Sequence, residues 1–270
     1  MPKLPKLPAP PLPSALQAPP PRPGEQNGAA GPIEQAKEAG TTVVDWVDER
    51  TSLSGAGRWL LFRMVPKGTN WFYTLGSATL FAFLSQAVTG VFLAMYYRPD
   101  PAGGAYESIR HVTNEVFLGQ FVRGMHKWGS SVMVILVFLH MGRVFFFGAY
   151  KYPRELNWVI GVVLLILTMV MSFTGYLLPF DQRAYWATIV GVNINGTGPL
   201  IGPYLSDFLR GGGEFGATTL SRFYAIHMLL VPGLIVALIG AHLYLVTKLG
   251  TTAPPWQKAK ERAELLEEEV

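Results

Sequence analysis

No cysteine occurs among the 270 residues, so the polypeptide can form no disulfide, bind no iron–sulfur cluster on thiolates and carry no thioether-linked haem. Charge is also scarce. Asp, Glu, Lys and Arg make up 15% of the chain, and four long stretches hold very few of them. No basic segment followed by a cleavage motif opens the sequence, so no removable signal peptide is expected. No nucleic-acid partner is expected either.

Half of the residues are hydrophobic, and they are clustered rather than periodic. The runs 71–97, 128–150, 158–179 and 224–246 are each long enough to cross a bilayer, and Trp or Tyr marks most of their ends, as interfacial anchors do. An all-α membrane protein built on a bundle of four transmembrane helices is therefore expected. Residues 1–33 hold 11 of the 21 prolines and should form an extended, disordered tail. Residues 34–67 alternate charge with apolar groups such as Val43, Trp46 and Leu60, which suits an amphipathic helix lying on the membrane surface. The bundle is assigned to 68–250, and 251–270 read as a charged tail. Fifteen Lys and Arg fall on the side of the two termini against seven on the other, which predicts both termini in the cytoplasm. The loops 98–125 and 180–222 then lie outside.

Two histidine pairs interrupt the apolar runs: His126 and His140 on the second, 14 positions apart, and His227 and His242 on the fourth, 15 apart. A helix advances about 100° and 1.5 Å per residue, so 14 steps leave two side chains nearly on one face and about 21 Å apart. The 15-step pair ends about 100° further round, and Pro232 between its members is the expected place for a bend or rewinding that corrects the mismatch. Each helix then offers one imidazole to each of two stacked sites. Ionisable residues inside membrane spans are functional by default. Paired imidazoles from opposing helices are the axial ligands of a haem, whereas the vertical separation excludes one tetrahedral zinc site. His126, His227, His140 and His242 are the candidate metal ligands. His111, in a polar loop, reads as an ordinary solvated side chain.

Glycines repeat the same interval: Gly76 and Gly90 on the first span, Gly161 and Gly175 on the third. A flat macrocycle pressing its face or edge on a neighbouring helix needs a residue without a side chain, although small-residue helix packing would use glycine too. Arg123 and Lys127 flank His126, Arg143 follows His140 by three positions, and Arg222 precedes His227 by five. These cations are placed to pair with haem propionates. Each could also serve as a plain interfacial anchor.

Several stretches together resemble the cytochrome b6 family, the four-helix half of a split cytochrome b: NWFYTLGS, TGVFLAMYYRPDP, VRGMHKW, LHMGRVFFFGAYKYPRELNWVIGVVL, TGYLLPFDQRAYWA and LSRFYAIH, within about 44–248. The 15-step second pair resembles the b6 branch rather than the mitochondrial type. The resemblance implies two non-covalent b-type haems, His126 and His227 holding the outer one and His140 and His242 the inner one. It further implies a bifurcated quinol oxidation that moves electrons inward and protons outward, within a dimeric complex in a bacterial plasma membrane. The implied partners are a Rieske iron–sulfur protein, a separate subunit IV-like C-terminal half and a c-type cytochrome. Because four spans end before the family's Pro-Glu-Trp-Tyr quinol motif, that second subunit is expected to supply it, and this chain alone should not catalyse.

The stretch Leu178–Thr188 resembles the family's outer quinone site, with Tyr176, Phe180 and Ala187 near the ring; a plain helix-ending loop at Pro179 would look the same in sequence. Photosynthetic relatives carry a cysteine, binding an additional c-type haem, where this chain has Thr74. No covalent c-type haem is expected here. The rival from another class is a two-haem cytochrome b membrane anchor relaying electrons for a dehydrogenase, and a haem-free structural bundle is the third possibility.

Overall fold

The computed structural model describes residues 37, 43, 45–50 and 68–257. The chain falls into two units, 1–63 and 64–270. In the first, 45–50 are helical, and Arg50 donates to the Trp46 carbonyl at 2.8 Å while its guanidinium lies 4.3 Å over the Trp46 ring. The proline-rich tail 1–33, most of the amphipathic segment 34–67 and the tail beyond 257 lie outside the described residues.

The second unit is helical, without strands among the described residues. A 3₁₀ turn, Trp71–Thr74, leads into α1 (Leu75–Ala94), followed by α2 (Gly104–Asn114), α3 (Gly119–Phe146), α4 (Glu155–Leu177), α5 (Gln182–Gly196), α6 (Gly202–Arg210), α7 (Ala217–Ala225), a π turn over Ile226–Leu230, and α8 (Val231–Leu249). Four helical stretches are long and apolar enough to span a membrane: Trp71–Ala94, Gly119–Phe146, Glu155–Leu177 and Ala217–Leu249. Hydroxyls within them are satisfied internally, as lipid demands. Thr79, Thr89, Thr168 and Thr174 each donate to the carbonyl four residues back at 2.7–2.8 Å.

Several boundaries differ from expectation. The second span begins at Gly119 instead of 128; its 28 residues extend about 42 Å, more than the hydrocarbon needs, so the turns bearing Arg123 and Lys127 run into the interface. The loops 98–125 and 180–222 are largely helical, because Asp181 caps α5 by accepting from Ala184 N at 2.8 Å, and α2 and α6 bury Ala105, Val112 and Leu209. Residues 251–257, assigned to the tail, instead fold back on the bundle: Trp256 Nε1 donates to the Gly68 carbonyl and Tyr73 Oη to the Thr252 carbonyl, each at 3.2 Å.

The rewinding expected at Pro232 lies one turn earlier. Val231 N–H bonds the Ile226 carbonyl, five residues back, so this turn absorbs one extra residue. Pro232 has no N–H to close a regular bond to Met228, and the preceding turn widens. The 15-step interval thereby acts as 14 helical steps.

The spans pack chiefly as two antiparallel pairs, α1 along α3 and α4 along α8. The buried core runs between them and under α5–α7, through Phe83, Met133, Leu177, Val192, Leu220, Phe223 and Ile235. Many large apolar residues on the spans face outward, among them Phe81, Val88, Phe146 and Leu229, as in a protein whose solvent is lipid.

Candidate cofactor centre

The four histidines meet in two pairs between α3 and the π turn with α8. The His126 and His227 ring centroids are 6.3 Å apart, those of His140 and His242 6.4 Å, and both pairs are inclined at 79°. Two metal–imidazole bonds of about 2 Å, with about 1.1 Å from nitrogen to ring centre on each side, require about 6.2 Å. The separation therefore fits one metal between each pair. Among the described residues no group of three or more His, Cys, Asp or Glu forms a metal-binding cluster, so each pair supplies two ligands only. A planar tetrapyrrole, which brings four nitrogens of its own, suits that donor set.

Hydrogen bonding fixes the tautomers at the first pair. Thr89 Oγ1 commits its proton to the Ser85 carbonyl at 2.7 Å, so across the 2.9 Å contact it accepts from His126 Nδ1–H. His227 Nδ1 lies 3.0 Å from the Met171 carbonyl, an acceptor, and 3.2 Å from Thr174 Oγ1, whose proton goes to Val170. With both Nδ1 atoms donating, each Nε2 keeps its lone pair for a metal. At the second pair, His242 Nδ1 is buried without a hydrogen bond.

The glycines sit beside the imidazole rings. A Cβ built on Gly90 would stand 3.2 Å from His126 Cε1, on Gly76 3.0 Å from His140 Cε1, on Gly175 2.5 Å from His227 Cε1 and on Gly161 3.6 Å from His242 Cε1. The imidazoles occupy the notches at Gly76, Gly90 and Gly175, where a Cβ would crowd the ring, whereas at Gly161 it would make an ordinary contact.

The basic residues divide. Arg143 lies with its guanidinium carbon 3.8 Å over the Tyr73 ring and 5.2 Å from that of Phe147, and its Nε and one terminal nitrogen are buried without a partner. Arg123 is half-buried, Lys127 is exposed with Nζ 5.9 Å from the Trp128 ring, and Arg222 is turned to α6, donating to the Phe208 carbonyl. His111 is exposed and pairs with Glu115 at 2.8 Å, as a solvated side chain.

The outer quinone candidates are not gathered into one cavity. Phe180, at φ 49°, lines a recess of about 680 Å³ with Tyr106, Asp181, Gln182 and Arg183. Tyr176 on α4 and Ala187 on α5 are exposed and do not line it, since Leu178–Thr188 is a tight turn followed by a helix rather than a loop. Beside it, Tyr97 stacks on Tyr224 at 5.4 Å and donates to the Leu178 carbonyl at 2.7 Å. Burial, with Tyr224 next to it, raises the Tyr97 pKa above the ordinary phenol value.

Sequence reasoning passed over Thr89, Thr174, Tyr73 and Trp256. The first two were signalled by the Thr-Gly steps 89–90 and 174–175, which place a hydroxyl beside each notch facing the first histidine pair. Nothing local announced the others.

Fold and site together define a class: a four-span helical membrane protein with two imidazole pairs stacked between its helices. Residues 61–250 match the family model described as cytochrome b/b6/petB. The chain is 44% identical over 215 residues to cytochrome b6 of Heliobacterium modesticaldum, covering 78% of this chain and all of that one. It is 44% identical over 220 residues to the menaquinol:cytochrome c reductase cytochrome b subunit of Geobacillus thermodenitrificans, covering 78% and 98%. Among solved structures, a chain of a hyperthermophilic respiratory complex III superposes with a TM-score of 0.70 at 30% identity, over 83% of this chain and 64% of that one. The chain belongs to the cytochrome b/b6 family, whose members bind b-type haem.

Proposed function

We propose that this chain is the di-haem cytochrome b subunit of a quinol-oxidising complex of the bc/b6f type, catalytic only with its partners. The observation that carries the reading is the two facing imidazole pairs, each spaced for one six-coordinate iron and set about 21 Å apart along α3. His126 and His227 would hold one haem, His140 and His242 the other. Bound there, haem supplies a reversible one-electron couple at each of two depths in a membrane that does not itself conduct. The chain's residues set the conditions for it. Thr89, Thr174 and the Met171 carbonyl orient the first pair, the four glycines admit the rings, and Arg143 offers buried cationic N–H groups to a carboxylate.

The relative named for a quinol reductase favours this reading over a dehydrogenase anchor, and its name makes menaquinol the first quinol to test. The recess at Phe180 is the candidate quinol-facing surface. Rieske protein, a subunit IV-like half and a c-type cytochrome would complete the complex, as a dimer in a bacterial plasma membrane with both termini cytoplasmic. Redox titration of the purified complex tests the reading: two b-type signals are expected, and His140→Leu or His242→Leu should remove one and leave the other. Both signals unchanged in the His140 variant would refute the pairing.

A further inference from the structure

Arg143 is held by an aromatic box whose walls belong to other parts of the chain. Tyr73, from the turn before α1, stacks under the guanidinium, and Phe147, just past the end of α3, flanks it. A cation between ring faces is attracted to them electrostatically, but the rings accept no conventional hydrogen bond from its edge. Its buried Nε and terminal nitrogen thus keep donors free, which costs free energy unless an anion meets them.

Both walls are tied to residues 251–257. Tyr73 Oη donates to the Thr252 carbonyl at 3.2 Å, and Trp256 packs edge-on against Phe147 with centroids 5.5 Å apart. The strap is itself fastened by Trp256 Nε1 to the Gly68 carbonyl at 3.2 Å, and its base is held by Arg154, which donates to the carbonyls of Leu249 and Gly250 at 3.0 and 3.2 Å. The hydrogen bonds from Tyr73, Trp256 and Arg154 all end on backbone carbonyls, and the Phe147 contact is ring to ring.

We infer that the strap 251–257, through Trp256 and Thr252, positions Arg143 toward a carboxylate of the haem held by His140 and His242. The inference rests on the reading of those histidines as ligands. Trp256 and Thr252 are positioning residues: they touch the box and act through Arg143. A fixed cation beside a haem favours its reduced, more electron-rich form, so a box that keeps Arg143 close raises that haem's reduction potential. Loosening the box lets the guanidinium drift toward water, and the potential falls.

The test is redox titration of the whole purified complex carrying Trp256→Ala, Trp256→Phe or Arg143→Gln, and the double variant. Trp256→Ala should lower the potential of the haem that His140→Leu removes and leave the other in place. Trp256→Phe, which keeps the ring and loses the N–H, should give a smaller shift of the same sign. Added to Arg143→Gln, Trp256→Ala should shift nothing further. An unchanged potential in Trp256→Ala, or an equal shift in the Arg143→Gln background, overturns the inference and leaves the strap a stability device only. If Trp256→Ala does not assemble, Trp256→Phe decides, and no shift there counts against the inference. Failure of the ligand reading shows separately, as two b-type signals persisting in His140→Leu.

Discussion

At the residue scale the four glycines are not equivalent. A methyl group at Gly175 would come to 2.5 Å of His227, while at Gly161 it would stand at an ordinary 3.6 Å from His242. Overpacking typically costs about 1–3 kcal/mol, and here the ring it displaces is a proposed ligand. Gly175→Ala should therefore lose the haem of the first pair and Gly161→Ala keep both, as haem content per polypeptide will show; equal retention would make Gly175 a helix-packing residue. The threonines differ as well. Thr89 Oγ1 is the acceptor at 2.9 Å from His126 Nδ1, with the Gln86 backbone a weaker second, whereas His227 keeps the Met171 carbonyl at 3.0 Å when Thr174 is lost. Thr89→Val should weaken haem retention about 10–100-fold, in line with the loss of a partner that orients a metal-bound histidine, and Thr174→Val much less. Haem loss to a competing apo-acceptor measures both.

At the scale of elements, the π turn is the device that reconciles two unequal histidine spacings. If Ile226–Leu230 absorbs one residue, removing that residue should restore a regular helix without moving either ligand off its face. Deletion of Leu229, which is 77% exposed, should therefore preserve both haem signals. Deletion of Val236, beyond Pro232 and similarly outward-facing, should rotate His242 by about 100° and abolish the second. Loss of both signals in the first deletion would mean that the turn has a role beyond register. The proline was visible in the sequence as a perturbation, but a π turn is selected by the packing that needs it, so its position was not. The helices of the outer connections were hidden for a related reason. Their polar faces look like loop until Ala105, Val112, Val192 and Leu209 find the bundle to bury against.

At the scale of the whole molecule, haem at the two proposed sites would be held without a covalent bond. Each pair brings together two spans distant in sequence, and no cysteine offers a covalent bond to a vinyl group. Thr74, where photosynthetic relatives carry a cysteine, donates its hydroxyl to the Trp71 carbonyl at 2.6 Å. Denaturation should release every haem from this chain, and a gel stained for haem-dependent peroxidase should show no band at its mass. A band that survives would require a linkage chemistry absent from the sequence. The apolar outer faces of the spans are left for lipid and for the partner subunits that the complex needs.

The sequence by itself determined the four spans and set the four candidate histidines at two depths, because lipid enforces helices and a helix converts a 14-residue interval into one face at two depths. Tertiary structure decided what depends on elements meeting. Which histidines pair follows from α3 and α8 running parallel, and the glycines lie beside the imidazoles because the helices of each antiparallel pair approach closely. Arg222 is occupied by α6, while Arg143 remains available. The stretch 251–257, uncharged and marked as a string only by Pro254, Pro255 and Trp256, became a strap because Gly68, Tyr73 and Phe147 are brought within its reach only when the first, second and fourth spans have packed.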